Sequence, residues 1–200
     1  MSSTQIILTV LAVVVVAALA AAGWMMMRRR SLRERFGPEY DRAVAAEDSR
    51  SAAERELRDR ERRHSELELR EVSTQSRERY RQGWEEIQKR FIESPNEAVA
   101  AADELVTQLV AERGYPTEDY DEQMAYLSVE HARTLGHYRD AHDINLRNQR
   151  GEATTEELRQ ALVHYRALFA DLLGADPLPR RDENRSDEAQ PDTPHDATRR

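Results

Sequence analysis

Cysteine is absent from the 200 residues, which excludes disulfides, thiolate-bound zinc and thiol nucleophiles together and leaves the redox compartment unreadable. Lysine is almost absent too: of 30 basic residues only Lys89 is lysine, an Arg- and Ala-rich bias that fits a GC-rich bacterial genome better than a physical need. Aromatic residues make up 6% of the chain and hydrophobic ones 39%, enough for one modest core with appendages rather than several domains. No GxGxxG, GxxxxGK[ST], HExxH or GxSxG string occurs, so no phosphate loop, zinc-protease helix or serine elbow is nominated. Paired carboxylates such as Glu85-Glu86 and Asp119/Asp121 are ordinary solvated surface in a chain with 38 acidic residues. An enzyme is therefore not expected, nor is a cofactor. Residues 76–174 hold 12 basic and 19 acidic side chains, a net of −7, the wrong sign for nucleic acid, which needs a concentrated basic surface.

Apolar residues are concentrated instead in one long run. From Ile6 to Met27 the chain reads IILTVLAVVVVAALAAAGWMMM, with Thr9 as its only polar side chain and Trp24 near the end where an indole suits the interface. At ~1.5 Å per residue this run reaches ~33 Å, enough to cross a hydrocarbon core of ~30 Å. Met1 to Gln5 carry no charged side chain, whereas Arg28, Arg29, Arg30, Arg33 and Arg35 follow the run at once and only Glu34 opposes them. Arginine beside a span stays in the cytoplasm, so residues 1–5 are expected outside, residues 6–27 in the bilayer of the cell membrane, and the rest inside. The basic cluster also suits contact with anionic headgroups. A cleaved signal peptide, making the protein exported, is the alternative, with Ala18-Leu19-Ala20 as its cleavage site; it lacks a basic leading region and its apolar stretch is too long. The pairs Ala17/Ala21 and Ala18/Ala22 have the spacing that lets membrane helices approach closely, which leaves a homo-oligomer open.

Residues 28–75 read as a basic juxtamembrane segment and a charged connector. Gly37-Pro38 interrupts the helix, and a new one starts with Pro38 and Glu39 in its first turn. Residues 39–71 contain 19 charged positions out of 33, among them Glu54/Arg58, Glu56/Arg60, Asp59/Arg63 and Glu66/Arg70, one turn apart with the acid first. These pairs predict a long solvated connector helix, a rod of ~50 Å. Tyr40, Val44, Leu57, His64 and Leu67 sit at roughly coiled-coil positions, but too many intervening core positions are charged for a sustained seam, and a spacer is the preferred reading.

Residues 76–174 predict a small four-helix bundle-like domain, so the expected fold class is all-α. Ser76 is expected to cap a helix with Tyr80, Trp84, Ile87 and Phe91 on one stripe. Ser94-Pro95-Asn96-Glu97 fits a capping box ahead of Ala98, Ala102, Leu105, Val106, Leu109 and Val110. After Gly114 and Pro116, a short helical turn through Met124 and Leu127 leads to Ser128 as the cap of a third helix ending at Gly151. Thr154 and Glu157 form a second capping box before Leu158, Ala161, Leu162, Tyr165, Leu168, Phe169 and Leu172, and Gly174 ends that helix. Residues 175–200, with four prolines and few apolar side chains, are expected to be a disordered tail.

The third helix carries the odd face. At 100° per residue His131, Leu135, Tyr138, His142 and Asn145 share one stripe, so two histidines lie where the other helices place Leu and Val. His131 and His142 are three turns apart, ~16 Å along the axis, and cannot share an ion. Each needs ligands from another helix, with His164 or Glu130 as candidates, and the stripe reads mainly as core or interface histidines with Asp143 or Tyr138 as hydrogen-bond partners.

The strings SLRERFGPEYDRAV, RGYP, LSVEH and LVHYRALF, in this order behind a single span, resemble a group of bacterial single-pass membrane-anchored helical proteins. The likeness runs from about Ser31 to Leu173, and RFGPEYDR at residues 35–42 is its most distinctive string. It implies architecture and no activity, cofactor or catalytic residue. The expected role is a membrane-tethered module that binds another protein, held to the lipid bilayer through residues 6–27; a ligand or metal sensor on the His131/His142 face is the alternative.

Overall fold

The computed structural model describes residues 3–174. Met1, Ser2 and the expected disordered tail at 175–200 lie outside the described residues. Eight helices and no strand lie among the described residues: α1 (Ser3–Phe36), α2 (Pro38–Ala46), α3 (Arg50–Ser65), α4 (Thr74–Glu93), α5 (Pro95–Glu112), α6 (Tyr120–Glu130), α7 (Ala132–Gln149) and α8 (Thr155–Leu173).

α1 is long because nothing in its apolar run breaks it, and that run, before Arg28, is apolar on every side. It is the one helix among the described residues long and apolar enough to cross a membrane. Val16, Leu19 and Met27 expose 65%, 68% and 75% of their surface, so the other described residues give this stretch no cover. The same helix continues without a break to Leu32 and Phe36, which are buried. It stops at Gly37, whose φ of +46° turns the chain, with Arg33 and Arg35 in its last turn where cations oppose the helix dipole.

The connector is not one rod. Glu47 leaves the helical conformation, and Ser49 then starts a separate helix, its hydroxyl oxygen accepting from the Ala52 N–H at 3.2 Å. α2 and α3 fold against each other and bury Tyr40, Ala43, Ala53 and Leu57 with Leu32 and Phe36 of α1 and Val129 of α6. Tyr40 and Leu57, two of the sparse coiled-coil positions, are thus filled within the chain. Of the expected one-turn pairs, Glu56/Arg60 forms at 3.0 Å; Glu54 turns instead to Arg29 of α1.

Residues 66–73 then run back without helical structure along the end of α5, where the Arg70 N–H donates to the Arg113 carbonyl at 2.9 Å. The fit is close: Gly114, at φ +95°, would place a Cβ 2.7 Å from the Glu68 carbonyl oxygen. Gly114→Ala combines that clash with a backbone conformation alanine rarely adopts, and should cost about 1–3 kcal/mol. A thermal melt checks this, and an unchanged midpoint would show that the segment does not hold this course.

The large core lies among α4, α5, α7 and α8, with Met124 and Leu127 contributed by α6. Trp84 stacks on Phe169 with ring centroids 4.9 Å apart and Tyr80 meets the same ring edge-on. At the helix starts the structure departs from expectation in several places. Ser73, not Ser76, caps α4. Ser94 precedes α5 without a side-chain cap bond, so the expected box there is not formed and Glu97 acts only through its charge. At α8 the Thr154/Glu157 box is complete.

The expected turn before the third helix is a full helix, α6, capped by Asp119. Ser128 lies inside it, its hydroxyl donating to the Ala125 carbonyl at 2.6 Å, the back-bonding available to a serine within a helix. The break between α6 and α7 falls at His131.

Candidate functional site

Because α1 passes straight from its apolar stretch into the helical body, its arginines lie where the two meet. Arg28 lies over the Trp24 ring, 4.8 Å from the centroid. Arg29 pairs with Glu54 of α3 at 3.2 Å, Arg33 with Asp41 of α2 at 3.1 Å, and Arg35 with Glu61 of α3 at 3.3 Å, while Arg30 bonds Glu34 within α1 at 2.9 Å. The collar is therefore opposed by more than Glu34, through acids that only folding of α2 and α3 brings near. Between them opens a cleft of about 280 Å³ lined by Arg29, Arg30, Arg33, Tyr40, Asp41, Val44 and Arg50. Burial and the hydrogen bond from its hydroxyl to Glu54 push the Tyr40 pKa up, so that hydroxyl stays protonated and the cleft keeps its cationic lining. Guanidinium forks of this kind suit phosphate oxygens.

A second ion pair fixes α2 to the bundle. Both nitrogens of the Arg139 fork on α7 donate to Glu39, at 2.6 and 2.7 Å, and Glu39 is only 2% exposed. Burial works against the charge on Arg139, but the Glu39 carboxylate more than offsets it and raises its pKa.

The three histidines singled out from the sequence go to separate places. His131 sets Nδ1 2.9 Å from Asp171, whose carboxylate also accepts the Thr134 hydroxyl at 2.7 Å. Burial opposes ionisation of Asp171, yet those two bonds hold its carboxyl below the usual range. The other nitrogen of His131, Nε2, is buried without a hydrogen-bond partner among the described residues, as is Nε2 of His64, and Tyr115 packs against both rings. Burial lowers the His64 pKa, keeping that ring neutral.

His142 stacks on Tyr120 with centroids 4.3 Å apart, and its Nδ1 is 3.5 Å from Asp103, which accepts the Tyr165 hydroxyl at 2.7 Å. The partners expected from sequence, Asp143 and Tyr138, are replaced by Asp171 and Asp103 from other helices, with Tyr138 only a tilted ring neighbour of His142. His164 meets neither of the first two histidines. Its Nδ1 lies 2.8 Å from Nδ1 of His137 on α7, and with Asp140 these two rings form a cluster whose ligating atoms all fall within 4.8 Å of one another. His137 lies off the inward stripe, on the exposed side of α7, and its one signal in the sequence is the His137/Asp140 spacing of three on one helix. No protein family, curated protein or solved structure matches this chain.

Proposed function

We propose that the chain is a single-pass membrane-anchored module of the cell membrane, its N-terminus outside and its helical body in the cytoplasm, where it binds another protein. One observation carries this reading: α1 runs unbroken from an apolar stretch that none of the other described residues covers into Leu32 and Phe36, two buried residues of the body. Uncovered Val, Leu and Met on all sides of a helix call for lipid. The continuous helix then makes the body's distance from that lipid a fixed property, because Phe36 lies only ~14 Å along the axis from Met27. The body is therefore seated at the inner leaflet rather than held away from it by a spacer. Arginines 28, 29, 30, 33 and 35 set the orientation, and the cleft they share with α2 meets the headgroup layer.

Such an arrangement fixes place more than chemistry, which suits a scaffold that recruits a partner to the membrane. In cells, a fluorescent protein fused to the C-terminus should be bright and a phosphatase that works only outside should be inactive there. Capture of the full chain from solubilised membranes should return the same protein repeatedly. An active phosphatase fusion would reject the orientation, and capture returning neither a partner nor a second copy would reject the binding role.

A further inference from the structure

α7 and α8 form the most extensively packed helix pair among the described residues, and their outward side carries the cluster of His137, Asp140 and His164. The two rings stand with centroids 4.9 Å apart and planes inclined by 27°, while their Nδ1 atoms are only 2.8 Å apart. The rings therefore splay away from their facing nitrogens. A contact this short between two imidazole nitrogens requires one to carry a hydrogen and the other a lone pair. Asp140, one turn beyond His137 on the same face, adds a carboxylate oxygen.

We infer that His137, Asp140 and His164 bind a divalent transition-metal ion of the zinc class, through two imidazole nitrogens and one carboxylate oxygen, with the remaining coordination open to water. The geometry is within reach: Zn–N bonds of about 2.0–2.1 Å at a tetrahedral angle set two nitrogens about 3.3–3.4 Å apart. The rings must part by roughly half an ångström from the observed 2.8 Å, a small rotation for side chains that are exposed or half-buried. Two imidazoles with a carboxylate match zinc, copper or nickel better than calcium or magnesium, which prefer all-oxygen sets. His131 and His142 are not part of the site, since their Nδ1 atoms face Asp171 and Asp103. A bound ion would join α7 to α8 across the hairpin.

The test uses the full chain in detergent micelles without an added histidine tag, and Zn²⁺ measured by competition with a chromophoric zinc indicator. One ion per chain is expected. His137→Ala and His164→Ala should each weaken binding by about tenfold or more, Asp140→Asn less, and His142→Ala should leave it unchanged. Lowering the pH from 7.5 to about 5.5 should weaken binding as protons compete for the imidazoles. Zn²⁺ should raise the melting midpoint of the wild type and of His142→Ala but not of the doubly substituted His137→Ala/His164→Ala chain. Saturable binding that survives the double substitution, or no competition with the indicator at all, would overturn the site.

Discussion

Replacing Arg139 with alanine should cost about 3–5 kcal/mol, which for a body of this size lowers the melting midpoint by about 6–20 °C. The loss arises from what stays behind. Glu39, at 2% exposure, would be left buried with Arg42, 3.8 Å away, as its one ion-pair partner among the described residues. A buried carboxylate stripped of two charge-assisted bonds is far more costly than the pair is stabilising. The double replacement Glu39→Leu/Arg139→Leu should therefore recover most of the loss, because no charge remains to be left unpaired. Melting of the wild type, the single and the double variant decides it. A double variant as unstable as the single one would show that packing of α2 on α7, not the charge, carries the effect.

Trp84→Ala should be comparably damaging, at about 3–5 kcal/mol. The indole is 1% exposed and lies flat on Phe169, their planes inclined by 23°, so truncation opens a cavity between α4 and α8 that neither helix can readily fill. Its Nε1 makes no hydrogen bond among the described residues, so the stacking area and not the N–H is what matters. Trp84→Phe retains a stacked ring and should lose about 1.5 kcal/mol or less. Chemical denaturation of both variants measures the difference. If phenylalanine costs as much as alanine, ring stacking is not the source of the stability here.

The legible features were those governed by neighbours in sequence. A run of 22 residues with one polar side chain folds as one long apolar helix, and of the α8 stripe Leu158, Ala161, Tyr165, Leu168, Phe169 and Leu172 are buried and Leu162 is half-buried, because a period of 3.6 is a local property. The Thr154/Glu157 cap is equally local and is complete. The connector misled for the same reason. Glu, Arg and Ala favour helix at every position, and one-turn charge pairs look alike in one helix or two. What divides it is a single capping serine, Ser49, and what draws the halves in is Glu39 reaching Arg139, 100 residues away, which no periodicity can report.

Histidine chemistry was hidden in a related way. A search along the inward stripe finds His131 and His142, whose partners Asp171 and Asp103 come from other helices. The facing pair His137 and His164 lies toward solvent, where a stripe argument does not look. Only the packing of α7 against α8 brings it together.

The absence of cysteine makes the topology directly measurable. Single cysteines placed at Ser3 and at Ser65, an exposed position at the end of α3, can be labelled in sealed right-side-out vesicles with a membrane-impermeant maleimide. Ser3→Cys should react at once, and Ser65→Cys only after the vesicles are opened. Immediate labelling of Ser65→Cys, or a mature chain that begins beyond the apolar run, would contradict a body anchored at the inner leaflet.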